Sequence, residues 1–288
     1  MTAVLCALSG GSTLRAQEAT ATKTALEFEG NKILSNEELL QTGNKCLAGF
    51  SSSSDQDTVL DYCLHRVASH MRSKGYLQAR LSRARQVPIE NGFRTVVSVK
   101  EGALFRLGTI TIEGARVMSP GQIREMFDLK TGDIANGDDI GEWLFERVKK
   151  AYGNLGYIQY TAEVQPKFNC KEGAQEGVAD LAVTIDEGIA YTVASIKFDG
   201  NGSVGRDVLL RDMFLRNGEV FSQELLDASL FRLSQSGEFE TIDADRDVDF
   251  RVDKMAPRLG LTIHLKKRMG ESAPQSQPVR RVISIQVP

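Results

Sequence analysis

Three times along this chain the same short strand ends on the same glycine. Leu26-Glu27-Phe28-Glu29-Gly30, Ile110-Thr111-Ile112-Glu113-Gly114 and Ile196-Lys197-Phe198-Asp199-Gly200 place those glycines 84 and 86 residues apart. A second landmark keeps step: Lys74-Gly75-Tyr76, Leu155-Gly156-Tyr157 and Ser236-Gly237-Glu238-Phe239, with 81 residues between successive glycines. A third is Lys100-Glu101-Gly102 and Asp186-Glu187-Gly188. A repeat this long implies a row of small domains rather than a solenoid of single hairpins. The expected divisions are 24–102, 103–188 and 189–268, flanked by segments 1–23 and 269–288. Units of this size sit near the lower limit for an independent core, so neighbours are expected to dock at least partly.

The middle repeat shows the local grammar. Ile110 and Ile112 alternate with threonines, as on a half-buried strand. Ser119-Pro120-Gly121-Gln122 then reads as a helix start, with a Ser N-cap, Pro at the first helical position and a capping box closed by Gln122. Ile123, Met126 and Phe127 follow at helical spacing. Ser35-Asn36-Glu37-Glu38 repeats the box at the same offset, and Gly205 takes the cap position in the third repeat. Leu209, Leu210, Met213 and Phe214 form that repeat's first stripe.

A longer amphipathic helix comes next: Leu60, Leu64, Val67 and Met71, then Ile140, Leu144, Val148 and Ala151, then Leu226, Leu230 and Leu233. Each stops near the second glycine landmark. Two strands close each repeat. The last is apolar and alternating: Phe93, Val97 and Val99; Leu181, Val183 and Ile185; Leu259, Leu261, Ile263 and Leu265. The one before it, over 76–87, 157–167 and 239–250, is polar, as strands at a sheet edge are. The reading is an α+β fold of three tandem β-α-α-β-β units, each a three-stranded sheet with two helices on one face.

These residues resemble POTRA (polypeptide-transport-associated) domains, which in tandem form the periplasmic part of BamA-type and TamA-type outer-membrane assembly proteins. The resemblance covers about 24–268. Gly30, Gly114 and Gly200 match the family's post-strand glycine, and Gly75-Tyr76 and Gly156-Tyr157 its Gly-Tyr step. The third repeat departs, with Glu238 between Gly237 and Phe239. The family normally continues into a transmembrane β-barrel, whereas 269–278 has the composition of a linker and Val282–Val287 reads as one strand. That strand is open to three readings: a tail pairing with a partner, the first strand of something further, or a frayed end. The whole chain is accordingly read either as a stand-alone POTRA protein or as a fragment of a longer one.

The resemblance implies a periplasmic protein, associated with the bacterial outer membrane, that handles unfolded outer-membrane proteins or assembly-complex subunits, with a β-barrel outside this chain as a further partner. An exposed edge takes a partner strand through main-chain hydrogen bonds. The residues expected to carry this are Tyr76, Gln78 and Arg80, Tyr157, Gln159 and Thr161, and Phe239, Thr241 and Asp243. The competing reading is a structural spacer or docking module holding one defined envelope partner.

No catalytic, cofactor or metal constellation is read here. A net charge of −3 and a pI near 5.8 argue against bulk nucleic-acid binding. No apolar run approaches a spanning helix. His65 and His70 read as solvent-facing. Asp243, Asp245, Asp247 and Asp249 alternate, as on one face of a charged edge strand, and fail the calcium-loop pattern at Val248 and Lys254. Residues 1–17 read as a secretory signal-peptide remnant or a disordered start. Cys46 and Cys63 are either a disulfide or two small buried hydrophobes.

Overall fold

The computed structural model describes residues 23–50, 55–90, 92–253 and 255–268. The expected leader and the Val282–Val287 strand lie outside them.

Among the described residues there are three separate three-stranded sheets. The first holds β1 (Lys23–Glu29), β2 (Arg80–Ile89) and β3 (Gly92–Lys100), in the order β1-β3-β2. The second holds β4 (Leu104–Glu113), β5 (Thr161–Asn169) and β6 (Glu176–Asp186), ordered β4-β6-β5. The third holds β7 (Thr192–Asp199), β8 (Val248–Val252) and β9 (Arg258–His264), ordered β7-β9-β8. The apolar last strand is thus central each time. β3 runs parallel to β1 and antiparallel to β2, with a bulge between Arg83 and Arg85. β9 pairs likewise with β7 and β8.

Cα packing groups the chain into two compact units. The N-terminal one takes in the described residues up to Thr109 with Leu129–Ile140 and Pro166–Asp180; the C-terminal one takes in Ile110–Asp128, Gly141–Gln165 and Leu181 onward.

In the N-terminal unit α1 (Asn36–Leu47) and α2 (Gln56–Ser73) cover one face of the first sheet. Leu39, Leu60, Leu64, Val67 and Met71 pack with Leu26, Phe28, Val97 and Val99. Phe93, expected on the same face, is 47% exposed. The Ser35 hydroxyl accepts from the Glu38 N–H at 3.2 Å. The expected reciprocal bond is replaced: the Glu38 carboxylate binds His70 Nε2 at 2.9 Å, so His70 is half-buried and paired rather than solvent-facing. Cys46 and Cys63 form a disulfide joining α1 to α2.

In the C-terminal unit the third core joins α6 (Arg206–Asp212) and α7 (Gln223–Gln235) to β7 and β9. Short helix α3 (Pro120–Glu125) carries the expected capping box, with both bonds present between Ser119 and Gln122. The middle repeat's second helix differs from the expected plain α-helix. α4 (Gly137–Glu142) passes through a π-helical segment, Trp143–Val148, into α5 (Lys149–Asn154). The reason is a one-residue insertion. From stripe residue to corner glycine there are 15 residues between Leu60 and Gly75 but 16 between Ile140 and Gly156. A wide turn absorbs the extra residue, so Trp143 and Leu144 are both buried and Tyr152, not Ala151, completes the stripe. The Trp143 Nε1–H donates to the Ile123 carbonyl at 2.8 Å.

The Glu-Gly landmark has a structural task. The Glu101 carboxylate accepts backbone N–H groups of Lys32, Ile33 and Leu34 at 3.0–3.1 Å. Glu187 accepts from Arg116 and Val117 and from the Tyr152 hydroxyl at 2.7–2.8 Å. Burial raises the Glu187 carboxyl, but these bonds outweigh it and hold it below the usual range. Each carboxylate therefore clamps the loop after its own repeat's first strand. In the third repeat Lys267 takes that position.

The second glycine landmark forms a corner. The Gly75 carbonyl accepts the Phe105 N–H, and the Phe105 carbonyl accepts the Ala135 N–H, both at 2.9 Å. One repeat later the Gly156 carbonyl accepts the Tyr191 N–H, and the Tyr191 carbonyl the Phe221 N–H, again at 2.9 Å. Each corner lies within one compact unit. All three glycines have positive φ, at 92°, 88° and 82° for Gly75, Gly156 and Gly237. A methyl group on Gly75 would lie 2.6 Å from Ile134 Cγ2, and one on Gly156 2.9 Å from Val220 Cγ1; around Gly237 nothing among the described residues lies within 4 Å.

Two outcomes are expected. Reducing the Cys46–Cys63 bridge, which closes a 17-residue separation, should lower the first repeat's stability by about 3 kcal/mol. Thermal unfolding with and without dithiothreitol measures this, and an unchanged transition would refute it. Gly156→Ala should cost about 1–3 kcal/mol through left-handed strain and contact with Val220. Gly237→Ala should cost less, because no described residue crowds the site and the strain acts without a clash, and urea unfolding of the two variants compares them.

Candidate functional site

Placing the last strand centrally leaves the middle strand of each repeat on an outer edge. β2 is paired to β3 from Arg80↔Lys100 to Ile89↔Gly92. Along its other side no backbone partner is found among the described residues. Two of these strands contain proline, Pro88 in β2 and Pro166 in β5, a residue that sheets tolerate at edges because no outward N–H is needed there. The opposite edges are partly closed. Leu107 of β4 exchanges backbone bonds with Asp133 and Gly132, and Val193 of β7 with Glu219 and Gly218, at 2.7–2.8 Å.

The sequence-predicted residues fall in three different settings. Arg80 and Thr161 are exposed and open β2 and β5. Tyr76, Gln78, Tyr157 and Gln159 lie in the turns before those strands. Tyr76 is buried in the first core, and Gln159 accepts the Tyr191 hydroxyl proton at 2.8 Å. These four are corner residues: the positive-φ glycine is followed by a turn that delays the strand to 80 and 161.

The third repeat departs further. Phe239 is buried and bridged to Lys267, and β8 begins only at Val248. The expected strand over 239–250 is replaced in its middle by the one-turn helix α8 (Ala244–Asp247). Asp243 caps it, accepting N–H groups of Asp245 and Arg246 at 3.1 Å, while Asp247 accepts the Asp243 N–H at 2.9 Å. Short carboxylates compete for local backbone donors and so favour a turn over an extended strand. Hydrogen bonds from Arg246 chiefly pull the Asp247 carboxyl down to about 2. The four aspartates therefore do not share a strand face, and Thr241 and Asp243 are not strand residues. Among the described residues no cluster of His, Cys, Asp and Glu is placed to hold a metal ion.

Two grooves run beside these edges. Along β2 a groove of about 370 Å³ is walled by Leu64, His65 and Ala68 of α2 and by Leu81 and Arg83. Arg83 straps it, bonding Asp57 at 2.7 Å and Asp61 at 2.6 Å. Along β8 a groove of about 1120 Å³ is lined by Phe145, Tyr157, Leu230, Phe231, Phe250 and Val252, among others. Phe231 is 67% exposed, and Phe145 and Phe250 are 48% and 41% exposed. Sequence reasoning missed these aromatics. Phe231 was legible, since it stands off the Leu226-Leu230-Leu233 stripe. Phe145 was not, because its direction depends on the π-helical segment.

Small helix-backed sheets in series, each joined to the next through a glycine corner, define a tandem array of one α+β module. The POTRA family model, described as "Surface antigen variable number repeat", matches residues 105–188 and 191–268. More than half of the chain is thereby covered, and the chain belongs to the POTRA family. It is 24% identical over 230 residues to the outer membrane protein assembly factor BamA of Neisseria meningitidis serogroup B, covering 77% of this chain and 28% of that protein. It is 23% identical over 207 residues to BamA of Nitratidesulfovibrio vulgaris, covering 71% and 25%. The chain thus spans about a quarter of the length of the curated relatives it matches. The fold matches the crystal structure of Haemophilus influenzae BamA POTRA3-5 with a TM-score of 0.68 at 18% identity, over 85% of this chain and 96% of that one. No helix among the described residues is long and apolar enough to cross a membrane.

The third sheet carries one titratable staple. On its helix-free face His264 of central β9 bonds Asp249 of β8 at 2.9 Å and Asp199 of β7 at 3.2 Å. Those hydrogen bonds, Asp249 first, raise the His264 pKa above 6.5. A raised folded-state pKa makes the staple's contribution complete below about 6.5 and lost as pH rises through the higher folded value. The thermal midpoint of the third repeat should fall over that interval in the native chain and stay flatter in His264→Gln. Identical pH profiles would remove the staple from the account.

Proposed function

We propose that this chain is a non-enzymatic periplasmic POTRA array, associated with the bacterial outer membrane. In this reading it binds client or accessory polypeptides by edge-strand addition during assembly or translocation of outer-membrane β-barrel proteins. The observation that carries this reading is the strand order, which repeats in all three sheets and leaves β2, β5 and β8 on outer edges. Outward N–H and C=O groups on such an edge bind another backbone with little sequence preference, and the side-chain groove beside it adds selectivity. The aromatic groove along β8 suits a strand with large apolar side chains at alternate positions; the strapped, polar groove along β2 suits a more polar one. Names of the relatives, as outer membrane protein assembly factors, point the same way.

A second reading, a spacer that holds one envelope partner, is favoured by the backbone bonds at the Gly75 and Gly156 corners. It is favoured also by the Asn154 side chain, which accepts the Glu224 N–H at the start of α7 at 2.8 Å. Such bonds fix a repeat against its successor. Crosslinking separates the two: an array that handles clients traps many polypeptides, a spacer one.

The direct test puts proline in turn at two adjacent positions of each edge strand: Gln86 and Val87, beyond the bulge in β2, Val164 and Gln165, before the existing proline in β5, and Asp249 and Phe250. Neighbouring N–H groups in a strand alternate in direction, so in the adjacent pairs one variant removes an outward donor and the other breaks the internal ladder. Outward variants should keep their unfolding midpoints and lose about ten-fold or more in affinity for a urea-unfolded β-barrel protein, the equivalent of one or two hydrogen bonds. Undiminished binding with all three edges blocked would end the strand-addition reading.

A further inference from the structure

Strand β2 carries three arginines and no carboxylate. Two of the three are committed within the first repeat: Arg83 to Asp57 and Asp61, and Arg85 to Glu29. Arg80 is not. It opens the strand directly opposite Lys100 of β3, so two cations meet across the ladder, a pairing that costs a sheet stability. Both are exposed, and neither side chain reaches a carboxylate among the described residues. The second repeat is built otherwise. At the same offsets from its landmark glycines, Gly156 and Gly188, stand Thr161 and Asp186.

Arg80 also lines the groove between α2 and β2, together with His65 and Arg72 of α2. The groove has apolar walls in Leu64, Ala68 and Leu81. Among the described residues its one carboxylate is Asp61, which Arg83 holds at 2.6 Å. His65 and Arg72 have no ion-pair partner among the described residues either. They lie two helical turns apart, about 10 Å along the axis, a distance that about three residues of extended chain cover. The groove therefore presents uncommitted positive charge over apolar walls, alongside an outer strand edge.

We infer that the α2–β2 groove receives an acidic, extended segment of a partner polypeptide, with its carboxylates at Arg72 and Arg80 and apolar side chains between them. The inference deepens the strand-addition reading at β2 and rests on it for the extended form of the partner. Charge complementarity fixes the sign of the occupant. A carboxylate set between Arg80 and Lys100 turns a repulsive pair into a bridged one, so the partner's acid is favoured by both. The walls decide the class. A small anion would use the cations and leave Leu64, Leu81 and the outward main-chain groups of β2 untouched, whereas an extended polypeptide uses all three. A cross-strand pair of like charges is also a local rule broken at some cost, and such departures concentrate at functional positions.

The test follows the fluorescence anisotropy of a short labelled peptide alternating glutamate with valine, titrated with the full chain near neutral pH and low salt. Counterparts carry glutamine or lysine in place of glutamate. The glutamate peptide should bind about ten-fold tighter than the glutamine one, as two exposed ion pairs together supply, and high salt should shrink that advantage. Arg72→Glu with Arg80→Glu should reverse the order in favour of the lysine peptide, a gain that an unfolded variant cannot give. N-methylating alternate amides of the glutamate peptide blocks its backbone pairing and keeps its charges. If that peptide still binds, and better than its glutamine counterpart, the acidic groove stands and strand addition at β2 fails; if it stops binding while the unmodified peptides keep their order, both stand. No detectable binding of the glutamate peptide, equal affinities for glutamate and glutamine, or a preference for glutamate that survives the charge reversal would each overturn the inference, and in the last two cases strand addition would still hold.

Discussion

The architecture depends on where the last strand of each repeat goes. By inserting between the first and middle strands, β3, β6 and β9 take the positions with a strand on both sides. Their leucines, valines and isoleucines then meet the helices in the core, as Leu259, Leu261 and Ile263 do. The same insertion forces the middle strand outward. An apolar centre and a polar margin are therefore one decision of topology, and the charged composition of β2 and β5 follows from it. Without that order the repeat would have a buried middle strand whose arginines and glutamates had no solvent.

At the Gly75 and Gly156 corners successive repeats are linked by main-chain groups, and the Asn154 side chain adds a bond at the second. At the first two corners the bond runs between main-chain atoms, so it survives wide variation in side chains. What the sequence must conserve there is only the absence of a Cβ. The Glu101 and Glu187 carboxylates do the complementary work, holding the loop that follows each repeat's own first strand. Lys267 marks the repeat in which that clamp is missing.

The repeat made the fold legible. Fixed spacing of the glycines, the alternation in the last strands and the capping box at Ser119 each have a local physical cause, and the structure contains them. What was illegible depended on competition between local options. Tyr76 and Gln78 look like the start of a strand because they follow a helix-ending glycine, yet the chain makes a further turn first. The Asp243–Asp249 alternation has the period of a strand, but Asp243 and Asp247 satisfy each other's turn of backbone more locally than a ladder does. Period alone could not rank those alternatives. The groove beside β8 was hidden for a third reason, because it draws on residues as far apart in sequence as Phe145 and Phe250.

The π-helical segment Trp143–Val148 shows how such an array tolerates change in length. An added residue in the middle of a docked helix would ordinarily rotate everything after it by about 100°, carrying the corner glycine off its mark. Here the widened turn swallows the extra residue and hands the helix on in its old phase, so Tyr152 and Gly156 arrive where Met71 and Gly75 do. That one added residue is therefore mechanically silent for the corner that follows it: the joint to the next repeat is set by the phase of the helix and not by its length.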